Sequence, residues 1–115
     1  MPVVFVISRD WPLRGAVRAQ LLHSGVEALG MESVDDLSRA VASGITPSAV
    51  VLDAELIEPL PASLANLARR VPVIVVASRT TQVPEFPSAA AVLHRPVSVG
   101  EIVLRVKELL AGEAA

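Results

Sequence analysis

Cysteine is absent from the 115 residues, which removes disulfides, zinc–thiolate sites and thiol catalysis from consideration, whatever the redox compartment. Aromatic residues are almost absent as well. Phe5, Phe86 and Trp11 are the only ones, so there is little ring surface for stacking bases or sugars, and the core must come from Val, Leu, Ile and Ala. No apolar stretch is long enough to span a bilayer, and the apolar start from Met1 to Ile7 lacks a basic leader and a small-residue cleavage site. The expectation is therefore an unprocessed, cytoplasmic chain with no membrane partner. Net charge is −2 and the arginines are scattered rather than gathered into a stripe, which argues against nucleic acid as a partner. There is no Gly-rich phosphate loop, Walker motif or adjacent nucleophile and base, so nothing marks the chain as an enzyme.

What is present is strongly apolar. Hydrophobic residues make up 52% of the chain and charged residues 19%, the composition of a globular protein. The length fits one domain, expected over residues 1–112 with a frayed tail at 113–115 and no room for a second domain.

Val3-Val4-Phe5-Val6-Ile7 is a continuous β-branched and aromatic run, as in a strand buried on both faces of a parallel sheet. Pro12 suits a first helical turn, and Leu13, Val17 and Leu21 recur at helical spacing until Ser24-Gly25. A weaker strand follows over Val26 to Met31. Ser33 and Asp36 then open a second helix that ends near Ala42, before Ser43-Gly44. Ala49-Val50-Val51-Leu52 is a further buried strand with Asp53 at its carboxyl end. Leu64, Leu67 and Ala68 suggest a short third helix behind an irregular connection containing Pro59 and Pro61. Val73-Ile74-Val75-Val76 forms a fourth strand, and Ala89 to Leu93 a fifth. Between them, residues 79–88 carry Pro84 and Pro87 and are expected to form a loop or a single turn. Ser98 and Glu101 cap a closing helix with Val99, Ile102, Val103, Val106, Leu109 and Leu110 on one side.

Strands alternating with helices predict an α/β fold. Five such units suit a flavodoxin-like, doubly wound parallel sheet of order 2-1-3-4-5, with the third and fourth helices shortened. In such sheets ligands bind beyond the carboxyl ends of the strands, which is where Asp53 falls. Taken singly, the polar residues have bland readings. Asp53 can cap the turn after its strand, Arg9 and Arg95 can be solvated charges, and His94 can be an exposed loop residue. Trp11 is either a partner-binding anchor or a cover for the start of helix one, and the bond before Pro96 is either cis or trans.

Pro47-Ser48-Ala49-Val50-Val51-Leu52-Asp53, Val71-Pro72-Val73-Ile74-Val75-Val76 and His94-Arg95-Pro96 together resemble the response-regulator receiver (CheY-like) family across nearly the full chain. The resemblance implies a phosphoacceptor position at Asp53, and the separation of Arg9 from Asp53 fits the family without insertion. It also implies an acidic pair ending strand one, a hydroxyl residue ending strand four and a Lys-Pro pair after strand five. The acidic-pocket positions hold Ser8 and Arg9, leaving Asp10 as the nearest carboxylate, one residue late. The hydroxyl position holds Ala77, with Ser78 next, and the lysine position holds Arg95, followed by Pro96. The spacings from Asp53 to Ala77 and from Ala77 to Arg95 are several residues short.

Phosphoryl transfer to a carboxylate needs a magnesium ion because both reactants are anions. The resemblance therefore implies at most weak metal binding at Asp10 and Asp53, with no cofactor required, and an atypical (pseudo-receiver) member. A guanidinium from Arg9 or Arg95 is expected to pair with Asp53 where the metal would stand. Such a domain works as a protein-interaction module in two-component signalling, with a histidine kinase, phosphotransfer protein or downstream effector as partner, and a homodimer left open. Two alternatives stand beside this reading: a phosphorylatable switch using Asp53, and a flavodoxin-like small-ligand-binding domain or enzyme.

Overall fold

The computed structural model describes residues 2–56, 62–78 and 89–114. Five strands, β1 (Val3–Ile7), β2 (Glu27–Met31), β3 (Ala49–Asp53), β4 (Val73–Ala77) and β5 (Ala89–His94), form one parallel sheet of order 2-1-3-4-5. This is the flavodoxin-like order that the alternation of strands and helices predicts. Helices α1 (Trp11–His23), α2 (Val34–Ala42), α3 (Ala62–Ala68) and α4 (Val99–Ala114) pack on the two faces.

Side chains alternate across a strand, and the central strands β1, β3 and β4 are apolar at every position except Asp53, so each face receives an apolar layer. Phe5, Ile7, Val50, Leu52, Val73 and Val75 meet Leu37 of α2 and Leu64 and Leu67 of α3. Val4, Val6, Val51, Ile74 and Val76 meet Val17 and Leu21 of α1 and Ile102 and Val106 of α4. Burying each such side chain contributes roughly 1.5–3 kcal/mol.

Helix limits follow local chemistry. Asp10, Ser33 and Ser98 each accept a hydrogen bond from the backbone N–H three residues on, at 3.3, 3.2 and 3.1 Å respectively, relieving the unpaired donors of α1, α2 and α4. Gly25 and Gly44, which follow α1 and α2, have φ of +82° and +99°. A side chain at either would be strained, which is why these two turns carry glycine.

Two element ends stand out against the sequence reading. Asp53 is itself the last residue of β3, and a 3-10 turn over Ala54–Leu56 follows it. The closing helix continues to Ala114, past the point where fraying was expected, because its apolar stripe keeps Leu109 and Leu110 against the core. The seven-residue α3 is short, as its sparse apolar pattern suggests. Pro59, Pro61 and the whole 79–88 stretch lie outside the described residues. Among the described residues, no helix is long and apolar enough to cross a membrane.

Candidate functional site

The parallel sheet delivers its strand ends to one edge. Ser8 follows β1, Asp53 ends β3, Ala77 ends β4 and Arg95 follows β5. Asp10 reaches the same edge as the cap of α1. Beneath Ser8 and Asp53 lies a void of about 10 Å³ walled by Val6, Leu13, Val17, Val51, Val76 and Ile102. The floor of the site is therefore apolar, and polar groups above it must find partners among themselves.

Asp53 and Ser8 are the polar residues buried in the described structure, at 7% and 4% exposure. Ser8 Oγ donates to Asp53 Oδ2 at 3.1 Å and accepts from the Asp10 N–H at 3.1 Å. Its backbone is held as well. Ser8 N–H donates to Met31 O at 3.0 Å, and Arg14 Nη1 donates to Ser8 O at 2.7 Å. Arg14 crosses β2 over Gly30, where a Cβ would stand 3.2 Å from Arg14 Cδ; the missing side chain is what lets the arginine through.

Arg95 ties the strand ends together. Its Nη2 donates to Asp53 Oδ2 at 3.3 Å and its Nη1 to Asp10 Oδ2 at 3.2 Å, so one guanidinium fork spans two carboxylates. Its own N–H donates to Ala77 O at 2.7 Å, and the Arg95–Pro96 peptide is cis. The other oxygens have donors too: Asp53 Oδ1 accepts from Glu55 N–H at 3.2 Å and Asp10 Oδ1 from Leu13 N–H at 3.3 Å. Two carboxylates against one guanidinium leave this cluster with a formal charge of −1. The Asp53 contact is the stronger of the two, since the Asp53 side chain is 9% exposed and that of Asp10 36%, and solvent screens the latter.

Of the two arginines proposed for Asp53, Arg95 makes the pair. Arg9 is exposed and forms no ion pair with a described residue, because the chain turns outward there to start α1. Ala77 is buried and brings no side-chain oxygen to the edge, while Ser78 beyond it is half-buried. His94 is exposed at the end of β5, and Trp11 is 70% exposed rather than a cover for its helix.

The fold has close counterparts. A response regulator receiver protein from Burkholderia phymatum is 25% identical, with 96% of each chain covered and a TM-score of 0.72. The chain has the fold of a response-regulator receiver domain. Two further receivers agree at lower identity: one from Clostridium thermocellum (14% identical, 99% of this chain and 98% of that one, TM-score 0.77) and one from a Francisella response regulator (17%, 95% and 96%, TM-score 0.75). No protein-family model and no curated protein matches the sequence.

On this receiver fold, two elements of the site were not evident from the residues alone. Asp10 is a helix cap and a second partner of Arg95; the Asp-Trp-Pro order, an N-cap residue followed by a first-turn proline, was the available signal for the cap. The Arg14 brace had no signal, since nothing local links Arg14 to Gly30 or to the Ser8 carbonyl.

Proposed function

We propose that this receiver is preset, with Arg95 supplying the positive charge that a divalent cation would otherwise bring to Asp53, and that it acts by binding proteins, with weak or absent aspartyl phosphorylation. The observation that carries this reading is the fork of Arg95 bridging Asp53 and Asp10 at 3.3 and 3.2 Å.

Magnesium demands near-octahedral oxygen ligation, mostly from carboxylates and water. All four carboxylate oxygens here already accept hydrogen bonds, and a guanidinium occupies the space between the two carboxylates. Among the described residues, no three His, Cys, Asp or Glu side chains gather as a metal-binding group. A dication brought near 4 Å of Arg95 would meet a repulsion of about 4 kcal/mol per unit charge at an effective dielectric near 20. The residues present therefore do not fit the ion. A phosphoryl donor meets the same obstacle, because both Asp53 oxygens are already engaged, Oδ2 by Ser8 and Arg95 and Oδ1 by the Glu55 N–H.

Incubation with acetyl phosphate and magnesium, followed by phosphate-affinity electrophoresis, tests the proposal. A preset receiver gives no retarded band. A band that forms in the wild type and disappears in Asp53→Asn would refute it.

A further inference from the structure

Trp11, Gly15, Arg18 and Leu22 recur along α1 at steps of four, three and four, so they share one face. This face is turned away from the sheet, since Trp11 is 70% and Leu22 45% exposed. Apolar groups of this size are ordinarily covered or used. Beside them runs a groove of about 370 Å³ between α1 and β2, lined by Trp11, Arg14, Gly15, Arg18, Leu29 and Gly30. Nothing lies within 4 Å of a Cβ built on Gly15, which keeps the groove open.

The charge of this face points to its occupant. The chain has a net charge of −2, yet α1 contains Arg14 and Arg18 and no acidic residue. Arg14 is committed to Ser8 O and lies 3.7 Å from Glu32. Arg18 uses only Nε, on Ala28 O at 2.9 Å; its two terminal nitrogens have no partner among the described residues. That same bond covers a carbonyl on the outer edge of β2, which obstructs the addition of a peptide as a sixth strand. The occupant must instead lie across the groove, with a carboxylate on Arg18 and an apolar side chain against Trp11.

We propose that this groove is a docking surface for an acidic, amphipathic segment of a partner protein. The Arg18 guanidinium, whose terminal nitrogens are uncommitted among the described residues, selects such a partner on a net-negative domain by electrostatic complementarity, and the aromatic anchor supplies the desolvated contact.

Panning the intact protein against a random peptide display library tests the inference, with Trp11, the sole tryptophan, as an emission probe for synthetic copies of the selected peptides. Expected are peptides rich in Asp and Glu with at least one large apolar residue, which shift Trp11 emission to the blue. Arg18→Glu should weaken them by roughly tenfold or more. Arg18→Gln, which keeps a donor for Ala28 O, should weaken them less. Arg18 is exposed, and circular dichroism checks that both variants fold. Selected peptides without acidic bias, or peptides whose affinity is unchanged in Arg18→Glu, would overturn the proposal. So would tighter Arg18-dependent binding of phosphatidylglycerol vesicles or duplex DNA than of any selected peptide.

Discussion

Arg95 is the residue on which the site turns. Its guanidinium is 37% exposed and meets one nearly buried and one half-exposed carboxylate. Removing it leaves Asp53 with Ser8 Oγ–H and the Glu55 N–H as donors but no compensating charge. A hydrogen bond to a charged group contributes about 1.5–3 kcal/mol, and the Asp10 contact adds little through screening. Arg95→Ala is therefore expected to lose about 1–3 kcal/mol in urea denaturation. Combining it with Asp53→Asn should recover part of that loss, because the uncompensated charge is gone. A double-mutant cycle that shows no coupling between the two positions would mean that the pair is solvated in practice. The position of Arg95 was legible in the sequence from His94-Arg95-Pro96, and so was that of Asp53. The choice between Arg9 and Arg95 was not, because it depends on how the chain leaves β1, and a backbone turn of one residue decides which side chain faces inward.

At the level of elements, α1 joins the site to the edge of the sheet. Asp10 caps it, Arg14 leaves its first turns to hold Ser8, and β2 admits Arg14 only because residue 30 has no side chain. Two glycine substitutions should therefore act in opposite directions. Gly15 is in the helix interior with open space around it, so Gly15→Ala is expected to raise stability by about 0.5–1 kcal/mol. At Gly30 a new Cβ would stand 3.2 and 3.3 Å from Arg14 Cδ and Cγ. Those atoms cannot retreat freely while Nη1 holds Ser8 O, so Gly30→Ala is expected to cost about 1 kcal/mol net and to shift the Ser8 amide resonance. Thermal or urea melts with amide spectra check both. A Gly30→Ala protein with an unmoved Ser8 amide would show that Arg14 does not brace the site. Most elements were readable because β1, β3 and β4 are short β-branched runs and each long helix begins at a capping Asp or Ser. The 3-10 turn after Asp53 and the extension of α4 to Ala114 were not, since the side-chain pattern marks element ends only weakly.

For the whole molecule, the strand order 2-1-3-4-5 brings residues from four strand ends and one helix cap to a single edge. The order was legible because the alternation of elements, with right-handed crossovers, leaves few arrangements. A receiver that switches needs two states of that edge and a ligand that favours one of them. On the proposed reading a side chain of the chain itself takes the place of the ligand charge, so a single state is expected with or without added ions. Amide NMR spectra recorded on addition of magnesium and then beryllofluoride, a phosphoryl mimic, test this directly, with Asp53→Asn as control. A preset domain gives no site-specific shifts beyond those of the control. Shifts that spread from Asp53 through Ala77 and Arg95 in the wild type and vanish in Asp53→Asn would contradict it, and would mean that Arg95 yields its place to the ion.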